Sequence, residues 1–253
     1  RVDLVEILPE VVEVARRFFA PFNGKALEDP RVQVHIEDAK TFLKTTPVKY
    51  DVVVAEPSNP WMAGVAAVFS QEFYEDCRRQ MKPGGVMVQW LQAYETDDAI
   101  FEMVVGTFGS VFPFMSVWEV GPGDVLLLGT TERWTPDVEA AARRFAVPEV
   151  KADLARIQIT RFPVLLGLQH VAFGDGAFLA PEGTPVHSDL FPRLEYAAQR
   201  AFFARRSSTR FRRVSELRSV RPRTLLGDWL AKHPFDPGDL GAYVGGVIQP
   251  GML

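Results

Sequence analysis

The chain has 253 residues, 47% of them hydrophobic and 24% charged, and carries a formal net charge of −4 at pH 7. That size holds one large domain or a domain with an appendage, and the charge balance gives no general attraction to nucleic acid or to an acidic membrane surface. Its single cysteine, Cys77, excludes an internal disulfide and a cysteine-rich metal site.

In chain order, Val2 to Ile7 reads as a strand with an acid, Glu6, at its end. Arg1 leads straight into this run with neither methionine nor leader, as in a piece of a longer polypeptide. Pro9 suits the first turn of a helix whose apolar face is Val11, Val12, Val14, Ala15, Phe18 and Phe19, and Asn23-Gly24 ends it. Arg31 to Glu37 alternates like a strand nearer a sheet edge, and Asp38 stands as an N-cap before Ala39 to Lys44. Val52 to Ala55 is short and β-branched, the pattern of a strand buried on both faces. It stops at Glu56, where Pro57-Ser58-Asn59-Pro60 forbids regular structure. Phe69 to Met81 has helical spacing, with Phe69, Phe73 and Cys77 on one face, so Cys77 is read as a buried, inert thiol. Lys82-Pro83-Gly84-Gly85 reads as the stop, and Val86 to Trp90 as the next strand. A helix over about Asp97 to Phe108 precedes a hairpin, Phe114 to Val120 and Asp124 to Gly129, turning at Gly121-Pro122-Gly123.

Alternating strands and helices over residues 1–130 predict a mostly parallel sheet covered on both faces, with an antiparallel hairpin at one edge. Such a sheet ordinarily owns one more strand before Val2, leading into a glycine-rich loop for a nucleotide-like ligand; no GxGxxG follows any strand present, so either no such ligand is bound or that strand and loop lie upstream. Residues 131–253 predict a mainly helical extension, with helices near Pro136 to Phe145, Val150 to Ile157 and Pro192 to Arg205. Residues 173–185 form a Gly/Pro-rich loop, residues 200–223 hold nine arginines against one acid, and residues 236–253 read as loosely held. The arginine run reads as a solvated face or an internal contact rather than a nucleic-acid surface. No apolar run approaches the ~20 residues that span a bilayer. With no signal peptide visible, a cytoplasmic setting is expected.

Ligands of a βαβ unit sit at the carboxyl ends of its strands, which directs attention to Glu6, Asp38, Glu56, Asn59 and Gln89. A strand-end carboxylate accepts ribose hydroxyls well, because it has lone pairs and no donor to repel them; the competing reading of Glu6 is a solvated acid. Asp38 is able to accept an adenine amino proton beside the small Ala39, and equally to cap its helix. Pro57 and Pro60 hold Glu56 and Asn59 at low entropic cost, and Trp61 offers an aromatic wall. The four histidines, His35, His170, His187 and His233, show no metal-ligand spacing, and His187-Ser188-Asp189, with no GxSxG elbow, is not a hydrolase triad.

VDLVEILPEVVEVARRFF, DPRVQVHIEDAKTFL, YDVVVAEPSNPW, VFSQEFYEDCRRQMKPGG and VMVQW resemble, in that order, the spermidine synthase (polyamine aminopropyltransferase) family over about Val2 to Gly129. EPSNPWMAGVA and QWLQAYE look like its bacterial spermidine synthase-like branch, whose members are often fused to membrane-spanning or tetratricopeptide segments, and PVHSDLFPRLEY resembles that branch's later motif. The resemblance implies a Rossmann-like methyltransferase fold. It implies decarboxylated S-adenosylmethionine as co-substrate, an amine such as putrescine as acceptor, and no metal. It implies roles for Glu6 at the ribose, Asp38 and Ala39 at the adenine, Glu56 and Asn59 on the acidic catalytic loop, and Trp61 and Gln89 on the amine side. Asn59 replaces an expected aspartate, and an amide is neither an anion nor a useful base, so Glu56 becomes the candidate base. Methyl transfer from S-adenosylmethionine and a catalytically silent polyamine- or nucleoside-binding domain are the alternatives. The same resemblance admits a membrane segment attached upstream, with the domain at the membrane's cytoplasmic face, and a homodimer.

Overall fold

A computed structural model of the chain describes residues 1–174, 180–208 and 224–233. Its described strands form two sheets. β1 (Val2–Glu6) and β2 (Val32–Ile36) pair in parallel, with Glu6 opposite Ile36. The larger sheet has the order β3 (Tyr50–Ala55), β4 (Met81–Gln92), β6 (Asp124–Thr130), β5 (Phe114–Gly121) and β7 (Gln169–Val171). β3 and β4 are parallel, whereas β6 runs against both β4 and β5, and β7 against β5. α1 (Pro9–Val14), α2 (Ala39–Thr45), α3 (Gln71–Gln80) and α4 (Asp98–Val111) alternate with the strands as the sequence predicts. The β5–β6 hairpin turns where Gly123 takes a φ of +82°, a conformation open to glycine at no steric cost.

Local chemistry sets the helix starts. Asp38, Ser70 and Asp97 occupy N-cap positions, and their side-chain oxygens accept from the N–H groups of Thr41, Phe73 and Ile100. One face of the larger sheet, carrying Met87, Leu91, Val117, Val125 and Leu127, is packed into the core with Phe73 and Tyr74 of α3 and Phe101, Val104 and Phe108 of α4. Cys77 is buried there, and burial pushes its thiol well above the ordinary range, so it stays protonated. Beyond β6 come α5 (Val138–Phe145), α6 (Pro148–Ala155), α7 (Phe162–Gly167), α8 (Arg193–Phe203) and α9 (Leu225–Lys232). Phe145, Ile159, Phe162 and Leu166 form a second small core, against which Leu225, Leu226 and Trp229 pack.

Three sequence-based expectations need correction. β3 is buried on one face only: Val53 and Ala55 pack on the core, while Val52 and Val54 remain 52% and 64% exposed on the open side. α1 forms and runs on into a π-helical turn, Ala15–Phe19, but of the expected apolar face only Val12 is buried; Val11, Val14, Phe18 and Phe19 face solvent. Lys82–Gly85 does not separate helix from strand. β4 begins at Met81 opposite Tyr50, and a ladder irregularity with Gly84 at φ +73° absorbs the turn residues into the strand. Within the mainly helical extension one three-residue strand, β7, joins the larger sheet. Part of the expected Gly/Pro-rich loop, residues 175–179, lies outside the described residues, as do residues 209–223 of the arginine-rich run and the whole segment 236–253.

Candidate functional site

Glu6 and Asp38 close neighbouring parallel strands. Glu6 ends β1 opposite Ile36, and Asp38 follows β2 by two residues, so both stand at the carboxyl edge of one sheet. Each engages one oxygen locally. Glu6 Oε1 accepts the Leu8 N–H at 2.9 Å, and Asp38 Oδ1 accepts the Thr41 N–H at 2.9 Å and the Thr41 hydroxyl at 3.0 Å. Their second oxygens have no partner among the described residues, so capping and ligand binding are compatible in both. Ala39 follows Asp38 as the first residue of α2.

Two bonds fix how this sheet stands against the larger one. The Tyr50 hydroxyl, at the start of β3, donates to Asp3 Oδ2 of β1 at 3.1 Å. At the other end, Lys40 Nζ at the start of α2 donates to Ser70 Oγ, the cap of α3, at 3.3 Å. The carboxyl ends of β1, β2 and β3 therefore lie on one side. Asp3 is buried between β1 and its neighbours; burial alone would raise its pKa, but hydrogen bonds from Arg1, His35 and Tyr50 outweigh this and hold the carboxyl below its usual value.

Glu56 follows β3 and is exposed; Asn59 is half-buried and Pro60 buried. Trp61 packs on the core and stacks on Phe202 of α8, ring centroids 5.0 Å apart. Gln89 is opposite Ala55 in the ladder but fully buried, on the helix-covered face; its amide nitrogen donates to the Trp90 carbonyl at 2.9 Å and its Oε1 has no partner among the described residues. Gln89 thus lies on the other side of the sheet from the open cleft beside Glu56. That cleft, of about 480 Å³, has a floor of Val54, Val88 and Leu126, with Trp90, Glu56 and Asp124 around it.

Sequence reasoning missed the residues that anchor the loop. His187, set aside as part of a false triad, is buried: its Nε2 donates to the Ala66 carbonyl at 2.8 Å, and its Nδ1 accepts the Leu194 N–H at 3.3 Å. Those partners need the neutral ring, and burial lowers its pKa accordingly, against smaller opposing effects. Glu195 accepts the Gly64 N–H at 3.1 Å, and Asp189 pairs with Lys40 at 2.6 Å. The signal was the PVHSDLFPRLEY motif, whose His187 and Glu195 return to Ala66 and Gly64 in the turn that follows the loop.

The alternating strands and helices, the parallel β1–β2 and β3–β4 pairs and the antiparallel hairpin define a Rossmann-like α/β protein of the methyltransferase type, with its candidate site at the strands' carboxyl edge. Residues 1–121 match the family model described as the spermine/spermidine synthase domain. A polyamine aminopropyltransferase of Corynebacterium efficiens is 37% identical over 123 residues, covering 45% of this chain and 24% of that protein. A spermine synthase of Arabidopsis thaliana is 36% identical over 105 residues, covering 39% of this chain and 29% of that one. The structure of a probable spermidine synthase from Corynebacterium glutamicum aligns over 74% of this chain and 63% of that chain, with a TM-score of 0.47 and 18% identity. The match thus spans about a quarter of the length of those two curated relatives.

Proposed function

We propose that this chain carries an aminopropyltransferase site: it passes the aminopropyl group of decarboxylated S-adenosylmethionine to an amine. Glu6 accepts the ribose hydroxyls and Asp38 the adenine amino group, through the oxygens their local bonds leave over. The observation that carries the reading is this shared edge: two acids with a spare oxygen each on adjoining parallel strands, and Glu56 on the same side beyond β3. The match of residues 1–121 to the spermine/spermidine synthase domain model supports it.

A sulfonium is a good leaving group, so the task is to hold a neutral amine in line behind the carbon under attack. The amine nitrogen forms a bond to the methylene carbon. The carbon–sulfur bond breaks with its electron pair going to sulfur, which leaves methylthioadenosine as a neutral thioether. The ammonium so formed loses a proton, and Glu56, the acid of the proline-bounded loop, receives it. Asn59 contributes a hydrogen bond without charge. Calorimetry with methylthioadenosine tests the nucleoside site, and absence of heat overturns it. Mass spectrometry of products from both donors with a panel of amines separates aminopropyl from methyl transfer. Glu56→Gln should lower turnover about a hundredfold or more; an unchanged rate removes Glu56 as the base.

A further inference from the structure

His187, Ser188 and Asp189 are consecutive, yet they reach two different parts of the candidate site. His187 holds the Ala66 carbonyl of the turn after the Glu56 loop, whereas Asp189 reaches Lys40, the second residue of α2 and the neighbour of Asp38 and Ala39. Lys40 Nζ donates to Asp189 Oδ1 at 2.6 Å and Oδ2 at 2.7 Å, and to Ser70 Oγ, the cap of α3, at 3.3 Å. The Asp189 N–H in turn donates to Glu72 Oε2 of α3 at 3.0 Å. The Lys40 side chain is only 14% exposed, and its three N–H groups meet three oxygens, so this ammonium is held in one place.

What the pair holds follows from α2 itself. That helix is seven residues long, and its buried side chains, Phe42 and Leu43, lie in its second half. Gln80 of α3 also donates to the Leu43 carbonyl, at 2.8 Å. Packing and this bond fix the far half of α2. The first turn, which carries Asp38 and Ala39, has no buried apolar side chain to fix it. The bonds from Thr41 to Asp38 lie within that turn and tie it to nothing outside the helix. Those of Lys40 do reach outside, to α3 and to the segment before α8. Hydrogen-bond distances span only about half an ångström, so a carboxylate displaced by ~1 Å loses its ligand's donor. An ion pair in this place therefore acts on a ligand that neither partner touches.

We propose that Asp189 is a positioning residue for the nucleoside: through Lys40 it fixes the first turn of α2, and with it Asp38 and Ala39, where the adenine is held. His187, two residues earlier, fixes the turn behind the Glu56 loop, so one tripeptide braces both the nucleoside side and the reacting side. The proposal rests on the reading of Asp38 as the adenine acceptor.

The test is calorimetry of the whole chain with methylthioadenosine. Asp189→Asn and Lys40→Met should each weaken binding about fivefold, an effect of the size exerted through intervening residues. The double variant should lose no more than either single one, because both remove the same link. Lys40→Arg, whose forked head also fits two carboxylate oxygens, should bind within about twofold of wild type. In the transfer assay, KM for decarboxylated S-adenosylmethionine should rise by the same factor with kcat unchanged, since the link acts on the nucleoside and not on the reacting carbon. Circular dichroism and thermal midpoints, taken on the same samples, check that each variant folds. A lowered midpoint with unchanged affinity means a structural brace only and overturns the inference. So does an additive loss in the double variant, or a fall in kcat without a rise in KM. In all three cases wild type still binds methylthioadenosine and the nucleoside site stands. Absence of binding by wild type refutes the nucleoside reading itself, and this inference falls with it.

Discussion

Replacing His187 by alanine should cost about 3 kcal/mol of stability, and the pH dependence of that loss reports why. The ring joins three pieces: its Nε2 holds the Ala66 carbonyl of the turn behind the candidate loop, its Nδ1 holds the Leu194 N–H of α8, and its own N–H is held by Thr107 Oγ1 of α4 at 2.9 Å. Alanine keeps the backbone bond and deletes the other two, leaving two backbone groups without their partners at about 1–3 kcal/mol each, offset where water enters. With an m-value near 3 kcal/mol/M for urea, that is a midpoint shift of about 1 M. The sign of the pH effect follows from burial. His187 is held neutral and its folded pKa lies below the ordinary value of about 6.5, so below pH ~6.5 the unfolded chain binds the extra proton more readily than the folded one. Its contribution is full above that pH and is lost as pH falls toward the folded pKa, with a slope of at most ~1.4 kcal/mol per pH unit. Urea titrations at pH 7.5, 6.5 and 5.5 should therefore show wild type and His187→Ala converging toward acid. An unshifted midpoint, or a constant gap across the three pH values, refutes the clamp.

Two other substitutions test the packing that carries the site. Gly129→Ala should destabilise the chain by about 2 kcal/mol or more, because its Cβ would lie 2.5 Å from Phe108 Cε1 and 2.7 Å from Phe112 Cβ in the core; thermal denaturation measures it, and an unchanged midpoint contradicts the tight approach of β6 to α4. Asp3→Asn should cost about 2 kcal/mol at neutral pH, since the side chain is buried against Arg1, His35 and Tyr50. Its folded pKa is lowered, so the stabilising effect is present above the unfolded value of about 3.9 and lost as pH falls below it; wild type and variant should then converge in acid, as urea titrations from pH 7 to pH 3 would record.

The fold was legible where local chemistry and burial agree. Asp38 announces a helix start because a carboxylate before an apolar-periodic run serves as an N-cap, and that cap is present. β3 was misread because Val52 to Val54 is apolar throughout, and composition alone does not distinguish a strand covered twice from one covered once; the open face at Val52 and Val54 is a tertiary fact. The same holds for the helical turn after α1, whose Phe18 and Phe19 satisfy helical periodicity yet face solvent. In the candidate site, the strand-end acids were visible because their position follows from topology. Gln89 shows the converse: its position in the ladder was legible, and the face its side chain takes was not.

The loop from Glu56 to Trp61 shows why stiffness within a segment does not by itself place a functional group. Pro57 and Pro60 each remove one soft dihedral, which narrows the shapes the loop adopts, but a stiff loop still pivots about its ends. What fixes the pivot comes from far along the chain: Glu195 takes the Gly64 N–H, where φ is +83°, His187 takes the Ala66 carbonyl, and Phe202 lies against Trp61. These contacts come from the stretch Val186 to Phe203, beyond the region that matches the family model. Positional precision at Glu56 is thus a property of two segments more than a hundred residues apart in sequence, and each supplies what the other lacks: the first an ordered shape, the second a fixed place for it. A variant that loosens the second segment should therefore weaken the site without touching any residue that meets a ligand.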